Sequence, residues 1–183
     1  MKRNLLKTLI LNATLAAAAF AATAPAKPMS DAELAARAAK EVRTYTRYTI
    51  WDNVNLSVRE GNIELTGQVS QPFKKNDLGR LMQRLPGVTG VTNRLEVLPT
   101  SFYDDELRIR VARAIYRDPV LSRYAIQAVP PIHIIVKNGE VRLEGVVNNE
   151  LEKTVALHRA STAGLSLGAV QNNLRVENAR ARS

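Results

Sequence analysis

The sequence of 183 residues contains no cysteine. A disulfide framework is therefore excluded, and so is a lipid-modified cysteine after an export leader. Histidine occurs only twice, and the sequence offers no His-x-x-x-His spacing or cysteine cluster for a transition metal. After residue 26, no stretch approaches the roughly 18 apolar residues that a membrane-spanning helix needs. We therefore predict no cofactor, no metal site and no membrane span in the folded part of the chain.

Catalytic motifs are also lacking. No serine combines a nucleophile-elbow context with a matched histidine, and no glycine-rich phosphate-binding loop is present. The acidic triplet Asp104-Asp105-Glu106 lies at a predicted helix start, where such residues act as caps and complement the helix dipole. We therefore expect no enzymatic activity.

The N-terminus has the layout of a secretory signal peptide. A basic start is followed by an apolar run from Thr8 to Ala22 and then by small residues. Residues 1–26 are assigned to this leader and the start of a linker, with cleavage after Ala21 or after Ala26. The alternative is an uncleaved membrane anchor, but the strongly apolar part is short and is interrupted by Asn12. We expect the mature protein to be soluble and periplasmic.

Basic residues outnumber acidic ones, 26 to 17, which gives a net charge of +9. The leader holds three basic residues and no acidic one, so its removal leaves +6. Such a chain favours anionic surfaces. Because an exported protein rarely meets nucleic acid, anionic phospholipid or acidic envelope polymers are the expected partners, and nucleic acid is not.

The chain contains an internal repeat. Residues 58–69 and 136–147 share Val, Gly, Leu, Gly and Val at matching positions, and the segments Val91–Val97 and Val170–Val176 match about thirty residues further on. Two blocks that recur in register indicate a duplicated domain. Each repeat has about 70 residues, and a core of that size is thin. The repeats are therefore expected to pack on each other or to gain stability from a partner.

Within each repeat, the apolar periodicity predicts the order α-β-β-α-β. The fold class is α+β, with two tandem domains over 31–99 and 104–178, each a small three-stranded sheet with two helices on one face. Asp104 is the predicted cap of the first helix in the second repeat. Ile135 replaces the outward Ser57 of the first repeat, which suggests that the second sheet is covered by the first repeat or by another subunit.

Six recurring residues are assigned a structural role. Two glycines serve hairpin turns, and two others allow a bend or a close helix approach at the end of the second strand. An asparagine recurs in the last strand of each repeat. In order, these residues are Gly61 and Gly139, Gly67 and Gly145, and Asn93 and Asn172.

These patterns resemble the BON domain. The shared features are Gly-x-hydrophobic-x-Leu-x-Gly-x-Val, then a helix, then Val-x-Asn-x-Leu-x-Val, each present twice. The end of the second helix departs from the family pattern in the second repeat, where Gly164-Leu-Ser-Leu-Gly168 stands. The resemblance implies phospholipid association and roles in osmotic stress and membrane integrity at the bacterial envelope.

The first helix of the second repeat carries the candidate binding surface. At 100° per residue, Arg110, Arg113 and Arg117 form a basic stripe, and Ile109 and Tyr116 lie on another exposed side. A basic stripe beside apolar and tyrosine side chains suits an anionic bilayer surface. The alternative is a solvated charged face, with the isoleucine and tyrosine packed against the other repeat.

Two functions therefore remain. The first is peripheral binding to anionic phospholipid by an exported, non-enzymatic protein. The second is a periplasmic chaperone or an adaptor that binds envelope proteins of the outer-membrane or secretion machinery. Binding to an anionic cell-wall polymer is a third possibility.

Overall fold

The computed structural model describes residues 29–164 and 166–177. The predicted leader, residues 1–26, lies outside them. The first repeat contains α1 (Asp31–Thr44), β1 (Asn53–Arg59), β2 (Asn62–Val69), α2 (Pro72–Gln83), β3 (Gly90–Asn93) and β4 (Glu96–Val97). The second contains α3 (Phe102–Tyr116), a 3-10 turn (Ser122–Tyr124), β5 (Ile132–Lys137), β6 (Glu140–Val147), α4 (Glu150–Thr162), β7 (Gln171–Asn172) and β8 (Arg175–Val176).

The predicted α+β class and the two tandem domains are confirmed. In each repeat the first two strands form an antiparallel hairpin, and the chain then returns through a helix to pair in parallel with the central strand. Each repeat has its own apolar core. In the first it is built on Leu34 of α1, Leu65 of β2 and Leu78 of α2, and in the second on Leu107, Leu143 and Ala156.

The predicted third strand of each repeat is split into two short strands. In the first repeat, β3 and β4 both pair with β2, but the amide of Leu95 between them bonds to the side-chain oxygen of Asn93. The Asn93 amide nitrogen donates to Lys75 O of α2 at 2.7 Å. Asn172 repeats both contacts in the second repeat. The recurring asparagine thus ties the interrupted strand to the second helix.

The hairpin turns form as predicted. Asn138 and Gly139 both have positive φ, as do Glu60 and Gly61. Positive φ at both central positions of a hairpin turn favours the pair Asn-Gly. Each turn is also held by a carboxylate from the first turn of the first helix of its repeat. Asp104 accepts hydrogen bonds from the amides of Asn138 and Gly139 at 2.9 and 2.7 Å, and Asp31 does the same in the first repeat.

Gly67 and Gly145 serve a close approach, but the approaching group is not a helix. A Cβ on Gly145 would lie 1.9 Å from the carbonyl oxygen of Pro131, and one on Gly67 would lie 2.1 Å from that of Asn53. Both glycines also have positive φ. The first strand therefore enters each sheet in a position that only glycine opposite it permits.

The two repeats contact each other along β5. Ile134 N donates to Ile50 O at 2.7 Å, and the rings of Tyr48 and His133 lie 5.3 Å apart. Further along β5, Lys137 pairs with Glu96. Ile135, between these contacts, is only 1% exposed. The first repeat therefore covers the outer face of the second sheet along β5, which is one of the two arrangements that the outward isoleucine suggested.

The first repeat also contributes to the second core. Ile50 and Trp51, in the loop before β1, pack against the apolar cluster of the second repeat. The loop between α3 and β5 adds to the same core, because Leu121 and Tyr124, beside and within the 3-10 turn, are buried there. The expectation that the repeats pack on each other is met by these contacts.

Candidate functional site

Helix α3 begins earlier than the sequence indicated. Ser101 is its N-cap, and the Ser101 hydroxyl accepts a hydrogen bond from Asp104 N at 3.2 Å. The predicted cap, Asp104, is therefore the third residue of the helix, where its carboxylate reaches the hairpin turn. The core stripe of α3 consists of Leu107, Val111 and Ile115. This stripe fixes which face of the helix points outward.

Two large apolar side chains lie on that outward face. Phe102 is 86% exposed and Ile109 is 45% exposed. They are seven residues apart, so they lie within about 20° of each other around the helix, and Arg113 continues the same line. Ile109 and Arg113 were predicted from the sequence as surface residues, but Phe102 was not, because a cap at Asp104 leaves Phe102 outside the helix. The Ser101–Asp104 pair was the signal that would have included it.

The three predicted arginines are not equivalent. Arg110 is paired with Glu106 one turn earlier, at 2.5 Å. Arg113 and Arg117 are exposed, and neither forms an ion pair with any residue that the structure describes. The charge available to a partner therefore comes mainly from Arg113 and Arg117.

Tyr116 differs from its predicted placement. Its hydroxyl donates to the Ile132 carbonyl at 2.5 Å, and the ring packs against the core of the second repeat. Burial raises the pKa of Tyr116 well above its ordinary value of 10.0. A side chain held in this way does not reach a bilayer, so Tyr116 is not part of the exposed surface. We define the α3 surface as Phe102, Ile109, Arg113 and Arg117, with the paired Arg110 at its edge.

Helix α1 has no equivalent surface. When the two helices are matched on their buried leucines, Leu34 and Leu107, the position of Ile109 is taken by Ala36. Arg37 and Lys40 are exposed on α1 at the positions of Arg110 and Arg113. Helix α1 therefore has comparable charge without the apolar side chain, which makes it a natural control for the α3 surface.

Within residues 29–164 and 166–177, no helix is both long and apolar enough to cross a membrane. No cluster of three or more histidine or acidic side chains is arranged to hold a metal ion in that part of the chain. His133, one of the two histidines, is buried at the contact between the repeats, and burial lowers its pKa below the ordinary value of 6.5.

The sequence model of the BON domain matches residues 30–99 and 104–178. Together these cover most of the chain, which therefore belongs to the BON-domain family and contains two such domains in tandem. BON domains are found in envelope and osmotic-stress proteins, and the family is generally non-catalytic.

None of the curated proteins is similar enough to count as a relative. Among solved structures, the chain is similar to CdsD, a structural protein of the type III secretion system of Chlamydia trachomatis. One CdsD structure has 15% identity and a TM-score of 0.31, covering 68% of this chain and 54% of that chain. A structure of its C-terminal domain has 13% identity and a TM-score of 0.31, with 75% and 63% covered. The chain thus spans less than two thirds of each, and the similarity is too low to bear on function.

Proposed function

We propose that this protein is an exported, non-enzymatic envelope protein that binds the surface of anionic phospholipid membranes through the α3 surface. The observation that carries the proposal is the line of Phe102, Ile109 and Arg113 on one exposed helix face, with Arg117 beside it. Exposed apolar side chains next to unpaired arginines are the composition of a peripheral membrane-binding helix. The association of BON domains with the cell envelope and osmotic stress supports the same setting.

The expected binding is weak and reversible. Full burial of a phenylalanine is worth about 1.5–3 kcal/mol, and an arginine near an anionic surface adds about 1 kcal/mol. The carboxylate of Glu106 is repelled by an anionic surface, but its charge is partly neutralised by its ion pair with Arg110. Binding should therefore need both the apolar pair and the arginines. It should also weaken in salt, because the Debye length falls from about 10 Å at 0.1 M to about 3 Å at 1 M.

Co-sedimentation with liposomes tests the proposal. The protein is expected to bind vesicles that contain phosphatidylglycerol, to leave them at high salt, and not to bind purely zwitterionic vesicles. Arg113→Glu/Arg117→Glu should abolish binding, and Phe102→Ser/Ile109→Ser should weaken it strongly. Because none of the four side chains belongs to either apolar core, the fold should be retained, as circular dichroism would show.

Helix α1 provides the matched control. Arg37→Glu/Lys40→Glu makes the same change in charge on a helix without the apolar pair, so binding should persist. If both charge variants lose binding equally, general electrostatic attraction and not the α3 surface is responsible. If the unaltered protein binds neither type of vesicle, the chaperone or adaptor function takes precedence, and suppression of client aggregation without lipid becomes the assay.

A further inference from the structure

A groove with a mixed polar and apolar lining lies where the two domains meet, on the outer faces of their sheets. Its volume is about 620 Å³, within the roughly 300–1,000 Å³ of pockets that hold small ligands. Its lining includes Arg43, Tyr48 and Asn55 from the first domain and Gln127, His133 and Arg175 from the second. No residue of α3 lines it, so the groove is separate from the α3 surface.

The groove has an excess of positive charge. Arg43, near the end of α1, and Arg175, in β8, are exposed and form no ion pair with the described residues. The carboxylate that lines the groove, Glu144, accepts a hydrogen bond from the side-chain amide of Asn173 at 2.8 Å. Two arginines contributed by different domains are thus available to separate acidic groups of one extended ligand.

The remaining polar groups of the groove suit hydroxyl groups. The side chains of Asn53, Asn55 and Gln127 carry both a donor and an acceptor, as a hydroxyl group does, and they show no side-chain hydrogen bond within the described part of the chain. Tyr48 adds an aromatic ring to the same lining. A lining that combines side-chain amides, an aromatic ring and two arginines matches a chain of sugar rings that carries acidic groups.

We propose that the groove between the domains binds an acidic oligosaccharide. The acidic groups would contact Arg43 and Arg175, and the hydroxyl groups would contact the amides of Asn53, Asn55 and Gln127. Because the two arginines belong to different domains, such a ligand binds only when the domains are packed as they are here. This proposal does not depend on lipid binding by α3.

Isothermal titration calorimetry of the purified two-domain protein tests the proposal, with trigalacturonic acid as the probe and maltotriose as its uncharged counterpart. Trigalacturonic acid should bind and maltotriose should not. Arg43→Gln/Arg175→Gln should weaken binding by about tenfold or more, because two charge-assisted contacts are lost. The control, Arg37→Gln/Lys40→Gln, removes two positive charges from α1 outside the groove and should bind as the unaltered protein does.

Three results would overturn the proposal. One is the absence of trigalacturonic acid binding, and another is equal weakening in the groove variant and the α1 variant. The third is displacement of the probe by inorganic phosphate at the same concentration, which would indicate a simple anion site. The liposome assay on Arg43→Gln/Arg175→Gln separates the two proposals, since this variant should still bind anionic vesicles.

Discussion

Lys74 and Glu152 are the third residues of α2 and α4 and carry opposite charges in an equivalent place. In the first domain, Lys74 pairs at 2.6 Å with the buried Asp52, whose other carboxylate oxygen accepts from Ser70 N at 2.7 Å. In the second, Glu152 supplies the buried carboxylate itself and accepts from Asn148 N at 2.9 Å. In both domains, therefore, a buried carboxylate accepts a hydrogen bond from the amide two residues before the helix. In the first domain the carboxylate comes from the loop before β1, and in the second it comes from the helix itself.

Replacement of Lys74 should destabilise the protein strongly. Lys74→Met leaves the Asp52 carboxylate buried without its cation, and breaking a buried pair in this way costs about 3–5 kcal/mol. The double variant Asp52→Asn/Lys74→Met removes both charges and should be less destabilised than Lys74→Met alone. Urea unfolding followed by the fluorescence of Trp51, the only tryptophan, measures both. Equal stability of Lys74→Met and the unaltered protein would contradict the role of the ion pair.

Gly145→Ala should be among the most damaging small substitutions. The new Cβ would lie 1.9 Å from Pro131 O, at a φ of +115° that alanine avoids, so we expect a loss of about 3 kcal/mol or more. Gly168→Ala is the matched control, because nothing lies within 4 Å of a Cβ there and its φ is not in the left-handed region. Thermal unfolding of the two variants compares them directly. Similar melting temperatures would show that the strand entry adapts to a side chain.

Tyr116→Phe tests whether this side chain stabilises the fold, as its observed position indicates, or binds lipid, as predicted from the sequence. Loss of the hydrogen bond to Ile132 O should lower the free energy of unfolding by about 1 kcal/mol, or somewhat more because the acceptor is left unpaired. Lipid binding should not change, because the ring does not belong to the α3 surface. Phe102→Ala should give the reverse, with weaker sedimentation on anionic vesicles and unchanged stability. Loss of lipid binding in Tyr116→Phe would restore Tyr116 to the binding surface.

Acidification should weaken the fold through His133. Burial holds its pKa below 6.5 in the folded protein, whereas the unfolded chain takes up a proton near that value. The unfolded state therefore binds more protons as the pH falls below 6.5, and the stability present above that pH is lost. Glu96 acts in a separate window, because its hydrogen bond to Lys137 lowers its pKa, and the stability that it contributes is lost below about pH 4.5.

Urea unfolding of the unaltered protein and of His133→Asn, each at about pH 7.5 and pH 5.5, tests this pH dependence. Because asparagine does not titrate, the difference between the two proteins is the contribution of the histidine. The variant should show a smaller change between the two pH values than the unaltered protein does. An equal change would mean that other groups produce the pH dependence.

Local features were predictable from the sequence because local chemistry decides them. The repeat, the Asn138-Gly139 turn and the order of helices and strands all follow from neighbouring residues. The predicted position of Tyr116 was wrong. Helical angles place this residue at the border of the outer face, and its direction is decided by the hydrogen bond to the Ile132 carbonyl, which is distant in sequence. The role of Asp104 and the exposure of Phe102 were missed for a similar reason, since both depend on where the helix begins relative to the hairpin.

The contact between the domains has a consequence for the history of the duplication. Ile135 lies where the first domain has the exposed Ser57, and Ile50 and Trp51 of the first domain complete the second core. A second domain released on its own would expose Ile135 on an open sheet face and would lose Ile50 and Trp51 from its core, so it should be less stable. The first domain on its own would in turn expose Ile50 and Trp51, which now pack against the second core. Loss of either copy would therefore uncover apolar side chains that the other copy now covers, so each half of the duplication has come to depend on the other.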